Sequence, residues 1–527
     1  MSVLARGPCD EAILRATEPA PCSRATARWV LAATILGSSL AFIDGTVVNV
    51  ALPVLQESLE ASVADVQWVV EAYALSLSAL VLVGGSLADR LGRRRVFAIG
   101  VALFAAASAA CALAPGVGSL ILARAIQGVG AALVVPSSLA ILGAAFPAKD
   151  RGRAVGTWSS LTAVAGALGP VAGGWLVEKA SWRAVFLLNL PIAAVVLAIA
   201  LRKVPETRNP SSKGLDLTGA ALATIGLAAL VFGIIEAPAA GWGNPRVFVP
   251  LAAGTVALAL FAVVERRSSH PMLPLDLFRI RLFAGLNLLT FFLYAALSAT
   301  FFLLPFELIQ AQGYTPSRAG AALLPLIALI SVLSRPAGAV ADRFGPRLLL
   351  ILGPATAAIG FYLLSVPRDD ARFATAVLPA LVVLGLGMSM TVAPLTSTVL
   401  GSVGERDTGT ASGINNAVAR VAGLLAIAVF GLVAASVFDR ALDRRLSEAG
   451  LAAVAARIPA SERHKLGAAE TPADLDASET AAVERAITSS VTDSFRSSMR
   501  TAAVLALLAS ACAVLFVPGT AGPGRSS

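Results

Sequence analysis

The sequence predicts an all-α integral membrane protein with fourteen transmembrane helices, two six-helix bundles with two further helices inserted between them. Three observations carry that expectation. The chain is 57% hydrophobic and only 14% charged, with a mean hydropathy of +0.79, far more apolar than a soluble chain. Its apolar residues gather into runs of about 20, the length a helix needs to cross about 30 Å of hydrocarbon. A charged turn also recurs. Gly85 to Arg95 reads Gly-Ser-Leu-Ala-Asp-Arg-Leu-Gly-Arg-Arg-Arg, and Gly338 to Arg347 reads Gly-Ala-Val-Ala-Asp-Arg-Phe-Gly-Pro-Arg. Gly, Ala, Asp, Arg, Gly and Arg therefore return at the same spacing about 250 residues later, an internal repeat of the kind on which transporters are built.

Residues 1–28 mix charges and prolines and hold no apolar run of signal-peptide length. They read as a cytoplasmic tail, with the first run an uncleaved span. The expected spans are 29–53, 66–87, 96–114, 119–143, 154–177, 184–203, 215–236, 247–265, 282–306, 317–340, 347–366, 373–397, 409–437 and 499–517. The first six make an N-terminal bundle over 29–203. Polar stretches at 202–214 and 266–281 flank an inserted pair over 204–281, and the last six spans make a C-terminal bundle over 282–517. With spans 7 and 8 set aside, each charged turn ends the second helix of its half. A 438–498 connection interrupts the second bundle, and residues 518–527 form a second tail. That connection mixes acids and bases and carries alanine-rich helical stretches, so it reads as a spacer or cap.

Orientation follows from lysine and arginine. The loops after even-numbered spans hold about 18 basic residues against about 6 in the other short loops, so the even loops and both termini face the cytoplasm. The net charge of +9 thus belongs to membrane topology and calls for no nucleic-acid partner. Two histidines, His270 and His464, lie in polar loops and read as surface residues; four scattered cysteines imply neither a disulfide framework nor a metal site. No phosphate-binding loop of the Gly-x-x-x-x-Gly-Lys-Ser/Thr type is present, which leaves ATP coupling unsupported. No cofactor is expected. A membrane enzyme would need a histidine cluster or a Ser/His/Asp set at one depth, which the two loop histidines do not provide.

Ionisable residues inside apolar spans cost roughly 2.5–3.5 kcal/mol on insertion scales and normally face a polar cavity or a partner. Asp44 lies inside span 1, Glu71 in span 2, Arg124 in span 4 and Arg420 in span 13. Glu236, Glu307 and Arg335 sit nearer helix ends, where snorkelling is an equal explanation. A carboxyl withdrawn from water can load a proton on one side and release it when its hydration changes, which makes Asp44 and Glu71 candidate proton carriers. The same residues also fit a buried Asp44–Arg124 pair that only fixes helix packing. Span 5 carries Gly169-Pro170-Val171-Ala172-Gly173-Gly174, a kinked and closely packed joint whose residue types do not separate hinge from packing.

Four motifs together resemble those of the major facilitator superfamily, specifically its fourteen-spanner drug:proton antiporters. Gly85 to Arg95 is similar to the family's loop motif between spans 2 and 3, and Leu120 to Gly130, with Arg124, Gln127, Gly128 and Gly130, to its span 4 motif. Gly169 to Gly174 resembles the antiporter signature, with Gly169, Pro170, Gly173 and Gly174 in place. Asp44 to Pro53, including Asn49, resembles the span 1 motif of the fourteen-spanners. The resemblance covers residues 29–517 and implies a major facilitator fold and proton-coupled multidrug efflux by alternating access, in a bacterial cytoplasmic membrane and as a monomer. It implies that Arg124 assists proton transfer near Asp44, and that Gly85, Asp89, Arg90, Gly92 and Arg93 form a conformational latch. Asp342 and Arg343 would be its counterpart in the second half, weakened by Pro346. Candidate substrate-cavity residues are Asn49, Trp68, Tyr73, Phe291, Phe292, Tyr294, Glu307 and Arg420; packing or lipid contact fits the aromatics equally well. An exporter of one endogenous metabolite, antibiotic, siderophore or lipid would share all these features.

Overall fold

The computed structural model describes residues 24–208, 217–268, 273–366, 373–404, 407–472 and 474–519. His270, most of the N-terminal tail and the C-terminal tail lie outside them. Among the described residues there is no strand. The long helices are α1 Arg24–Ser58, α2 Val63–Leu91, α3 Arg93–Ala112, α4 Val117–Ala145, α5 Ala148–Lys179, α6 Ala184–Lys203, α7 Leu217–Ala240, α8 Pro245–Arg267, α9 Arg281–Phe306, α10 Pro316–Phe344, α11 Arg347–Leu364, α12 Phe373–Gly401, α13 Thr408–Glu448 and α14 Ala477–Phe516. Thirteen are long and apolar enough to cross a bilayer, and α2 makes fourteen. It bends by 52° between Val63–Val81 and Val83–Leu91, beside the Gly84-Gly85 pair, where a helix lacks side-chain support.

The described residues divide into two compact units: those within 1–51, 68–228 and 254–272 form one, and those within 52–67, 229–253 and 273–527 the other. The inserted helices α7 and α8 are thus each shared between the units, a division that their uniform hydrophobicity conceals in the sequence.

In the first unit, the charged turn between α2 and α3 is built on Gly92, whose φ of 115° is a conformation that side chains resist. Asp89 is held by Arg93 at 2.7 Å, one turn on. Glu206, beyond α6, reaches the exposed start of α3: its carboxylate accepts from the backbone N–H groups of Arg94 at 3.0 Å and Arg95 at 3.2 Å. A carboxylate there satisfies orphan donors and meets the positive end of the helix dipole. The Arg93 N–H in turn donates to the Thr207 carbonyl at 3.0 Å. Glu206→Ala is expected to lose about 1 kcal/mol, the usual worth of a helix cap, read as a lower melting temperature. An unchanged melting temperature would remove Glu206 from the seating of the turn.

In the second unit the repeated turn keeps the same backbone device, since Gly345 has a φ of 86°, but not its electrostatics. Asp342 and Arg343 are exposed, Arg343 stacks on the Phe344 ring at 5.1 Å, and Asp342 has no ion pair among the described residues.

Helices α13 and α14 run well into the 438–498 connection and leave only 449–476 between them. The start of α14 is set by a reciprocal cap: Asp476 accepts from Ser478 N and Glu479 N, each at 2.7 Å, while Glu479 accepts from Asp476 N at 3.2 Å. The intervening segment is stapled by Arg463–Asp443 and Lys465–Glu462 pairs, both at 2.8 Å. Residues 52–67 pack in this unit too. Val63 N donates to the His464 carbonyl at 2.9 Å, and Gln56 Nε2 to the Lys465 carbonyl at 3.0 Å. His464, expected at the surface, is therefore half-buried within a folded segment.

Candidate functional site

The polar centre of the first unit is assembled by five helices around Asp44, which is fully buried on α1. Arg124 on α4, 1% exposed, forms an ion pair with Asp44 Oδ2 through Nη1. The same nitrogen donates to Gln127 Oε1 at 2.7 Å, and Nε donates to the Val69 carbonyl of α2 at 3.0 Å. Asp44 Oδ1 accepts from Gln127 Nε2 at 2.8 Å and from Asn189 Nδ2 of α6 at 2.9 Å. Ser108 on α3 accepts from Asn189 at 3.0 Å and donates to the Phe186 carbonyl at 2.8 Å. Three side chains from two helices, Arg124, Gln127 and Asn189, thus converge on the one Asp44 carboxylate, and a buried network of this kind ties α1 to α4 and α6.

Tyr73, a candidate cavity residue in the sequence, packs against this cluster. Its ring lies under the Arg124 guanidinium, 4.2 Å from the centroid, and its hydroxyl donates to the Ala41 carbonyl at 2.9 Å. At 4% exposure it is a wall for the arginine, because a flat π face is the neutral surface on which a buried guanidinium rests best.

Glu71, on the same helix, stands apart. It is completely buried, and neither carboxylate oxygen has a hydrogen-bond partner among the described residues. An ionised carboxylate there would be an uncompensated charge in an apolar setting. Asn49 and Trp68 are half-buried.

Beside Asp44, α5 lies hard against α1. A side chain at Gly173 would place its Cβ 2.7 Å from the Val47 carbonyl oxygen, and one at Gly169 would meet Thr46 Oγ1 and the Ile43 carbonyl. Thr46 seals the contact by donating to the Gly166 carbonyl at 2.8 Å. Pro170 and Gly174 are buried as well. The span 5 glycines are thus the floor on which the Asp44 helix rests.

Residues 34–427 match the model of the Major Facilitator Superfamily. The chain belongs to that superfamily. Among similar major facilitator proteins, multidrug resistance protein Stp of Mycobacterium tuberculosis is 37% identical over 420 residues, 80% of this chain and 78% of its own. The tetracenomycin C resistance and export protein of Streptomyces glaucescens is 32% identical over 488 residues, 92% and 90% of the two chains. Among solved structures, a bacterial homologue of the human lysosomal transporter Spinster aligns with a TM-score of 0.63 at 19% identity, covering 95% of this chain and all of that one. The xylose transporter XylE from E. coli aligns at 0.57 and 16%, covering 94% and 98%. These two share the fold. The chain is therefore a multi-pass membrane protein of a transporter superfamily.

The candidates of the major facilitator chain's second half lie in the second unit. Glu307, 4% exposed, opens a π-helical turn, Glu307–Ala311, at the end of α9. The turn interrupts the regular ladder, as such turns do at functional positions. Glu307 Oε1 accepts from Gln312 at 3.0 Å and Thr492 at 3.2 Å, and Oε2 has no hydrogen-bond partner among the described residues. The residue lines a cavity of about 320 Å³ with Gln312, Thr492, Phe495 and Arg496. Phe291 and Phe292 pack edge to face at 5.8 Å, and Tyr294 and Arg420 are half-buried. A second polar cluster, Asn415 with Thr290 at 2.7 Å and Asn287 at 3.2 Å, joins α13 to α9. Sequence reading missed it, as it missed Asn189 and Ser108, because lone uncharged polar residues in apolar spans carry no signal until their partners are known.

Proposed function

We propose that this chain is a proton-coupled antiporter that exports amphipathic small organic compounds by alternating access, as a transporter and not an enzyme. It sits in a bacterial cytoplasmic membrane with both termini inside, and it works as a monomer. The observation that carries the reading is the enclosed Asp44–Arg124 pair with Gln127 and Asn189. A proton arriving on Asp44 removes the charge that all these donors serve, which weakens the hold of α1 on α4 and α6. Binding energy for the proton thereby becomes a bias between conformations. A membrane potential supplies about 2.3 kcal/mol per charge for each 100 mV, enough to drive such a cycle. A cationic substrate that displaces the proton gives exchange by mutual exclusion. The charged turn, with Asp89, Arg90, Gly92 and Arg93, then acts as a latch at one end of the first bundle, and Asp342 and Arg343 act in the second.

The decisive experiment is reconstitution in proteoliposomes with an imposed pH gradient, following a fluorescent lipophilic cation. Uphill transport that collapses with a protonophore supports the reading; no gradient-driven movement of any substrate tested would remove proton coupling. One observation favours the narrower alternative, export of a single endogenous product. The relative aligned over 92% of this chain is named for resistance to and export of tetracenomycin C. Efflux of chemically unrelated dyes decides for the broad reading.

Glu71 is the second proton carrier in this scheme, because its partnerless carboxyl is tolerable only when neutral. Glu71→Gln is expected to lower gradient-driven efflux, less completely than loss of Asp44, while downhill substrate exchange persists. Equal gradient-driven rates in the variant would make Glu71 a packing residue.

A further inference from the structure

In the second unit, the antiparallel helices α13 and α14 border a groove of about 480 Å³ lined by four arginines, Arg440, Arg444, Arg496 and Arg500. The one carboxylate in the groove, Asp493, is already engaged by Arg445 at 2.6 Å and Arg444 at 3.5 Å. Among the described residues Arg440 donates only to the Ser436 carbonyl one turn back and Arg500 has no ion pair, while Arg496, also without an ion pair, is shared with the cavity that Glu307 lines. Arg440 with Arg444, and Arg496 with Arg500, are like-charged neighbours four apart on their helices, an arrangement that destabilises each helix unless an anion lies between the charges.

The depth of the groove narrows the choice of anion. Arg347, at the far end of the repeated charged turn, donates to the Val514 carbonyl at 3.3 Å, so that end of α14 lies beside the turn. At about 1.5 Å per residue, Arg500 and Arg496 stand about 21 and 27 Å along the helix from Val514. That is close to the full hydrocarbon thickness, and it puts the guanidinia at the opposite headgroup layer. Below the arginines, the same face of α14 continues as exposed aliphatic side chains. Val504, Leu507 and Leu508 are 56%, 54% and 43% exposed, at the spacing that extends the stripe from Arg496 and Arg500. A charged head above a greasy strip matches a molecule with a phosphate at one end and acyl chains at the other. The planar guanidinium fork fits phosphate oxygens in pairs, as a lysine cluster does not.

We propose that the groove between α13 and α14 binds the phosphodiester headgroup of an anionic phospholipid, with its acyl chains lying along Val504, Leu507 and Leu508. The test uses the full chain, purified in detergent and melted with phosphatidylglycerol, phosphatidylcholine or inorganic phosphate. Phosphatidylglycerol is expected to raise the melting temperature by several degrees and to remain bound in native mass spectrometry, with neither other additive matching it. Arg440→Gln/Arg500→Gln should abolish the shift, and Arg440→Lys/Arg500→Lys should reduce it. Both positions are exposed and each substitution relieves a like-charge pair, so the lipid-free melting temperature should stay the same or rise slightly; if the double variant melts early, Arg500→Gln alone replaces it. An equal shift with phosphatidylcholine, an equal shift with inorganic phosphate, or a shift retained in the glutamine variant would each overturn the proposal.

Discussion

Asp44→Asn is expected to abolish uphill efflux driven by a pH gradient. The amide keeps the shape of the carboxyl and can still accept from Gln127 or Asn189, but it can neither carry a proton nor balance Arg124. The difficulty is that loss of transport could also come from a damaged fold. Removing one member of a buried ion pair strands the other, at about 3–5 kcal/mol, and Arg124 has nowhere to go at 1% exposure. The double variant Asp44→Asn/Arg124→Gln separates the two causes. With both charges gone, no uncompensated charge remains, and the melting temperature should return most of the way to that of the parent protein. If Asp44 carries the proton, transport stays lost in the restored protein. If the pair only fixes packing, transport returns with stability, and the coupling role of Asp44 is refuted. Arg124→Lys offers an independent check: an ammonium cannot reach Asp44, Gln127 and the Val69 carbonyl at once as the guanidinium does, so it too should fail.

The parts of this protein that the sequence exposes are those the bilayer dictates. Span length, apolar composition and the repeated Asp-Arg-x-Gly turn are all consequences of crossing hydrocarbon twice over, and the helices α1 to α14 follow them. Asp44 and Arg124 were legible for the same reason, since a charge in an apolar run has few explanations. Asn189 and Ser108 were not. Each is an ordinary polar residue in its span, and only their meeting at one carboxylate oxygen and with one another gives them a role. Glu206 hid in a linker, where an acid is unremarkable until the start of α3 is found beside it. The place of Tyr73 under Arg124 was not legible either, because an aromatic ring serves a cavity wall and a cation-supporting wall equally well. The parts of α13 and α14 that flank 449–476 were missed because polar residues enter the helices there, so the hydropathy signal stops while the helix does not.

Gly173→Leu is expected to eliminate most transport without contacting substrate or proton. Even the first carbon of the new side chain would sit 2.7 Å from the Val47 carbonyl oxygen, and backbone cannot swing aside as a side chain can. Helix α1 must therefore retreat. Overpacking of this kind usually costs about 1–3 kcal/mol, which a bundle of this size can survive, so folded protein should still be recovered. The functional loss should be larger than the stability loss implies. Asp44 lies about one helical turn from Val47, and a displacement near 1 Å at the seam would pull its carboxylate out of register with Gln127 and Asn189. Leu168→Ala, at a neighbouring position that is 54% exposed, serves as the control and should leave transport and melting temperature unchanged. Pro170→Ala then distinguishes joint from floor. If the proline is a hinge, restoring the helical hydrogen bond should slow transport at constant stability; if the glycines matter because α1 rests on them, Pro170→Ala should be mild and Gly173→Leu severe. The close Val47 and Ile43 contacts favour the second pattern, and full activity of Gly173→Leu would show that the α1–α5 seam plays no part in coupling.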